Sequence, residues 1–181
     1  MNIYVFSGPC GCGKSTLSEA YARHLIDNGK NQVYVIHGDD FHKGFVETDR
    51  RVGPACPGFQ YWADILEFNW QCMLDVAQKA LDRSLDVLID YVVEDELPRL
   101  AELARKNGAN LYLVVLTAAE EELKQRLIHR GSENLIDRSL FLKSKFDAAP
   151  EFQTYLYDIS SMTVKEEIEN LDFTIREVDL H

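Results

Sequence analysis

Gly8-Pro9-Cys10-Gly11-Cys12-Gly13-Lys14-Ser15-Thr16 fits the phosphate-binding loop pattern G-x-x-x-x-G-K-[ST]. It stands in the context that gives the pattern mechanical meaning. The apolar run Ile3-Tyr4-Val5-Phe6 before it reads as a buried strand, and Leu17 to Ile26 after it reads as a helix ending at Asn28-Gly29. Glycines at 8, 11 and 13 let the backbone turn its N–H groups inward, the helix N-terminus adds partial positive charge, and Lys14 adds a full one. The product is a nest for polyphosphate. Ser15 stands where a hydroxyl coordinates Mg²⁺, and Lys14 where an ammonium reaches the outer phosphates.

Outward from the loop, apolar runs alternate with helical patterns. Val33-Tyr34-Val35-Ile36 predicts a second strand, ending in His37-Gly38-Asp39-Asp40, so carboxylates stand at a strand's carboxyl end, where open α/β sheets bind ligands. Residues 41 to 58 carry Lys43, Arg50 and Arg51 among glycines and prolines and are read as a substrate loop. From about Phe59 to Leu81, residues Trp62, Ile65, Leu66, Asn69, Met73, Ala77 and Ala80 mark one face of a long helix. Asp86-Val87-Leu88-Ile89-Asp90 predicts a third strand capped by an acid, and Pro98 suits the first turn of a helix running to Asn107-Gly108. Leu111 to Leu116 is the fourth strand.

Thr117-Ala118-Ala119-Glu120 has the form of a capping box, and the helix it opens carries Arg126 and Arg130 on one face. A polar segment with Arg138 follows, then a short helix over Ser139 to Phe146 and a fifth strand over Thr154 to Ile159. Thr163-Val164-Lys165-Glu166 is a second capping box, Val164, Ile168 and Leu171 are the expected buried face of the last helix, and 172–178 can add a short edge strand. The alternation predicts an α/β fold with a mostly parallel sheet and helices on both faces.

The chain's 181 residues suffice for one domain, with no repeat or linker to divide them. A formal net charge of −11 provides no electrostatic footprint for nucleic acid or an anionic membrane, so any anion must be captured locally. Cysteines at 10, 12, 56 and 72 are too sparse for a disulfide scaffold. The expectation is a cytoplasmic protein, neither secreted nor membrane-spanning. A helix N-terminus beside Cys10 and Cys12 predicts lowered thiol pKa values, and with them redox sensitivity.

The phosphate loop, Gly38-Asp39-Asp40-Phe41-His42 after the second strand, and Leu116-Thr117 leading to Arg126 and Arg130 together resemble the small P-loop kinases that include gluconate kinase, shikimate kinase and chloramphenicol phosphotransferase. The resemblance runs over most of the chain as an order of elements, and Gly-Asp-Asp-Phe-His is closest to the Gly-Asp-Asp-Leu-His of gluconate kinases. Residues 43 to 58 do not carry those kinases' basic, proline-containing segment beyond Asp49-Arg50.

The resemblance implies a P-loop NTPase three-layer sandwich with five-strand order 2-3-1-4-5, and transfer of the ATP γ-phosphoryl group to a hydroxyl of a small molecule, such as a sugar acid. It implies that Gly8 to Thr16 hold ATP, that Ser15 and Asp90 hold Mg²⁺, and that Asp39 faces the acceptor hydroxyl with Asp40 as the alternative. It further implies that Arg126 and Arg130 belong to a mobile lid over about residues 126–138, and that substrate contacts come from 41–81. A monomer or homodimer would suffice. Two alternatives remain: a nucleoside or nucleoside monophosphate kinase, with Arg50 or Arg51 on the acceptor's phosphate and an aromatic near 59–62 stacking on its base, and an ATP-dependent switch or binding module.

Overall fold

The computed structural model describes residues 1–30, 32–43 and 62–180. Arg50, Arg51, Asp49, Cys56 and the aromatics at 59–61 lie outside the described residues, as does most of the expected substrate loop. In chain order the elements are β1 (Asn2–Ser7), α1 (Lys14–Asp27), β2 (Val33–His37), α2 (Asp39–His42), α3 (Trp62–Leu81), β3 (Asp86–Asp90), α4 (Leu97–Asn107) and β4 (Asn110–Thr117). Then come α5 (Glu120–His129), α6 (Ile136–Ala148), β5 (Leu156–Asp158), α7 (Val164–Thr174) and β6 (Arg176–Glu177).

The sheet order is β2-β3-β1-β4-β5, all parallel. β6 runs antiparallel against Tyr112 and Leu113 of β4, below the stretch of β4 that pairs with β5. Alternation along β1 divides the core. Ile3 and Val5 face a cluster built with α3, α4 and α6, while Tyr4 and Phe6 face a second built with α1, α5 and α7. Helices on both faces are why β1, β3 and most of β4 read as near-continuous apolar runs.

Three local expectations change. Thr117 opens no capping box: it remains the last residue of β4, paired with Asp158, and its Oγ1 accepts a hydrogen bond from Lys143 Nζ at 3.1 Å. Helix α5 starts at Glu120 behind Ala119, whose N–H is satisfied by Ser160 Oγ at 2.8 Å. Sheet pairing and a distant hydroxyl thus replace the local cap. The fifth strand is three residues long, because Pro150–Tyr155 form 3-10 turns in front of it. At the start of α7 the Thr163–Glu166 capping box forms, but Val164 is exposed and Leu171 carries the buried face with Glu167.

Among the described residues no helix is long and apolar enough to cross a membrane.

Candidate active site

The carboxyl ends of β1, β2 and β3 lie side by side: Phe6 and His37 both pair with Asp90. The phosphate loop leaves the end of β1, and α2 leaves the end of β2. Together they bound a cleft lined by Lys14, Ser15, Thr16, Asp39, Asp90, Tyr91, Arg126 and Arg130, and by Cys10, Gly11 and Gly13 of the loop.

Tertiary contacts shape the loop from several sides. Gly8 has φ +135°, and a Cβ there would stand 2.3 Å from the Leu116 carbonyl, so both conformation and space demand glycine. A side chain starting at Gly11 would begin 2.9 Å from Leu127 Cγ of α5. The buried Ser139 hydroxyl of α6 donates to the Cys10 carbonyl at 2.7 Å. Lys14 Nζ donates to the carbonyls of Gly8 and Pro9, each at 2.9 Å. Burial disfavours the charged Lys14, but its interactions with the acidic groups of Cys12, Asp90, Cys10 and Asp39 outweigh it and leave its pKa above the usual lysine range. Lys14 is therefore a full cation beside the loop's amides.

Cys12 departs from expectation. It is fully buried, and burial pushes its thiol up rather than down, against the pull of Lys14. The described cysteines, Cys10, Cys12 and Cys72, are free.

Asp90 is 5% exposed, and its Oδ2 lies 3.0 Å from Nδ1 of His37, whose Nε2 is 3.6 Å from Glu19. That imidazole orients the carboxylate at the cleft wall. The neighbouring acids on α2 diverge. Asp39 lines the cleft, whereas Asp40 forms a 2.6 Å ion pair with Lys43, whose hydrogen bond holds the Asp40 carboxyl below the usual range. The alternation of roles follows from about 100° of rotation per helical residue.

Arg126, near the end of α5, reaches back over the loop: one guanidinium nitrogen donates to the Cys12 carbonyl at 3.4 Å and the other to Glu122 at 2.5 Å. Arg130, just past the helix, lines the cleft, and its Nε bonds Ser132 at 3.2 Å. Arg138 lies on α6, which starts three residues before the expected Ser139, and it pairs with Glu94 beside the 3.1 Å Lys145–Glu94 contact. The expected lid segment thus comprises the end of α5, a 3-10 turn at Glu133–Leu135 and the first turn of α6.

Sequence reasoning missed Tyr91, Val92, Leu135 and Ser139. Tyr91 and Val92 directly follow the strand-end acid and could have been found by that adjacency. Leu135 and Ser139 carry no local signal. Gly38, between β2 and α2, has an ordinary φ of −61°, but a Cβ there would stand 2.3 Å from the Tyr91 ring and 2.7 Å from Met73 Sδ. Tyr91 and Met73 are buried and cannot swing away. Gly38→Ala should therefore destabilise the fold by about 1–3 kcal/mol through overpacking. Thermal unfolding followed by circular dichroism checks this, and an unchanged Tm would mean that the ring gives way freely.

Residues 3–149 match the AAA_33 family model, described as an AAA domain. The chain belongs to that family. The AAA_33 match spans the phosphate loop, both strand-end acids, Arg126 of α5 and Arg130 just past it. Among curated proteins, the guanylate kinase of Campylobacter jejuni strain RM1221 is 27% identical over 189 aligned positions, covering 93% of this chain and 85% of that enzyme. Among solved structures, the Deinococcus radiodurans tunicamycin resistance protein superposes with a TM-score of 0.64 at 16% identity, covering 98% of both chains. A gluconokinase from Sinorhizobium meliloti 1021 superposes with a TM-score of 0.53 at 18% identity, covering 93% of this chain and 87% of that one. At such identities the solved structures establish the shared fold, a P-loop NTPase sheet with helices on both faces.

Proposed function

We propose that this AAA_33 protein is an ATP-dependent kinase that transfers the γ-phosphoryl group to a hydroxyl of a small molecule, with sugar acids such as gluconate the first class to test. One observation carries the reading: Asp39 lines the same cleft as Lys14, Ser15 and Arg126, so a phosphate cradle, a carboxylate and a guanidinium converge. A nest that only bound nucleotide would need neither the carboxylate nor the arginine.

In this reading the loop amides and Lys14 bind the phosphates, Lys14 exchanging the Gly8 and Pro9 carbonyls for phosphate oxygens. The Ser15 hydroxyl and the Asp90 carboxylate are the groups that would hold Mg²⁺. They fit an ion that arrives with its nucleotide and keeps several waters, since among the described residues no three His, Cys, Asp or Glu side chains cluster into a metal cage. When bound, the ion neutralises charge on the phosphates. Asp39 orients the acceptor hydroxyl and takes its proton, and Arg126 meets the charge spread over the transferring oxygens.

A second reading, a nucleoside monophosphate kinase, is favoured by the guanylate kinase of Campylobacter jejuni among the chain's relatives. Its acceptor would be a phosphate, and Arg50 or Arg51 would be the residues to grip it. ADP release with MgATP across sugar acids, sugars, shikimate-like alcohols, nucleosides and GMP separates the two. Stimulation by a hydroxyl compound, abolished in Lys14→Ala, supports the first reading. Stimulation by GMP alone supports the second. Tight ATP binding without any stimulation would favour an ATP-dependent switch.

A further inference from the structure

The inward face of α3 is apolar at Ile65, Met73, Ala77 and Ala80, yet Asn69, in the middle of that face, is completely buried. Its Nδ2 lies 3.1 Å from His42 Nδ1 and 3.4 Å from the Tyr91 hydroxyl, while its Oδ1 is buried with no partner among the described residues. Turning the amide over would exchange the roles of the two atoms and leave the nitrogen unpartnered instead. Either way a polar atom is desolvated without compensation, where a leucine would pack at no such cost. Local rules are broken in this way mainly where function requires it.

His42 and Tyr91 explain the requirement. His42 ends α2 and Asp39 begins it, so the two lie one helical turn apart. The Tyr91 ring occupies the space where a side chain at Gly38, immediately before that turn, would stand. Asn69 therefore ties down the far end of α2 through His42 and, through the Tyr91 hydroxyl, steadies the ring against its near end. A single turn has almost no stability of its own, and α2 has neither a side-chain cap nor a buried residue. The Tyr91 phenol is a neutral hydroxyl in this contact, and burial raises its pKa further above the ordinary tyrosine value.

We infer that Asn69 is a positioning residue: from the buried face of α3 it sets α2, and with it the Asp39 carboxylate, against the phosphate loop. This deepens the kinase reading and rests on it for the role of Asp39.

The test compares wild type, Asn69→Leu, His42→Phe and the double variant. Tm, MgATP affinity, hydrogen exchange at the amides of residues 39–43, and turnover with D-gluconate and with GMP are measured for each. In Asn69→Leu, exchange at 39–43 should rise roughly 10-fold while protection in β1 and β4 and the Tm stay at or above wild type. With D-gluconate as acceptor, kcat should fall roughly 10- to 100-fold at unchanged ATP affinity, the size expected of a misplaced group, and with GMP, which has no proton for Asp39 to take, by less than about 10-fold. The double variant should be no worse than either single one, since both cut the same tether. His42→Phe must reproduce the faster exchange, and does so even if Asn69→Leu fails to fold. Unchanged exchange at 39–43 in both variants, or a loss of protection shared equally by β1 and β4, overturns the inference and leaves Asn69 a packing residue. If wild type phosphorylates neither of these nor any other acceptor of the panel above, the kinase reading is what fails, and exchange at 39–43 still decides the tether.

Discussion

Asp39→Asn is expected to lower kcat with a hydroxyl acceptor by roughly 10²- to 10⁴-fold, the usual worth of a positioned general base, with MgATP affinity changed less than about threefold. The substitution keeps the shape and hydrogen-bonding reach of the side chain and removes its capacity to take a proton. Asp39 lines the cleft, whereas the Asp40 carboxylate is committed to Lys43 at 2.6 Å, so Asp40→Asn should leave turnover nearly intact. The contrast also discriminates between acceptors. A phosphate acceptor is already ionised and has no proton to lose, so with GMP as substrate Asp39→Asn should cost less than about 10-fold. Steady-state ADP release at saturating MgATP measures both. Equal losses in the Asp39 and Asp40 variants would remove the base assignment.

Arg126→Ala is expected to lower kcat by roughly 10²-fold or more, by analogy with arginines supplied to phosphoryl transfer, while the protein stays folded. Its structural contacts are modest. The ion pair with Glu122 is partly exposed, with 31% and 28% of the two side chains open to solvent, and the bond to the Cys12 carbonyl is long at 3.4 Å. Pairs of that kind contribute about 0–1 kcal/mol. The same contacts place the guanidinium directly above the phosphate loop, which is why its loss should fall on the transition state. Arg126→Lys should restore little, since a point charge does not reproduce the planar fork. Turnover of Arg126→Ala equal to wild type, at unchanged Tm, would take the residue out of the site.

Much of the scaffold was legible in the chain because its signals are local. Strands covered on both faces read as unbroken apolar runs at 3–6, 87–89 and 111–116, and helix α4 announced itself by Pro98 at its start and Gly108 in the left-handed region at its end. Local signals failed where a distant partner outbid them. Thr117 carried the signature of a cap but was claimed by β5 and Lys143, and the helix N-terminus beside Cys12 predicted a lowered thiol pKa that complete burial reversed.

By itself, the sequence determined the phosphate loop and the placement of Asp39 and Asp90 at strand ends, because an eight-residue motif and an apolar run ending in an acid are contiguous. Only the tertiary structure decided which acid of the Asp39-Asp40 pair faces the cleft, that Arg126 of α5 and Ser139 of α6 hold the loop's carbonyls, and that Asn69 of α3 reaches His42. Adjacent helical residues point about 100° apart, so a one-residue difference in direction appears only once the turn is anchored. Its anchors lie 27 to 53 positions away along the chain, Asn69 on His42 and Asp90 on His37, a separation that no local pattern encodes.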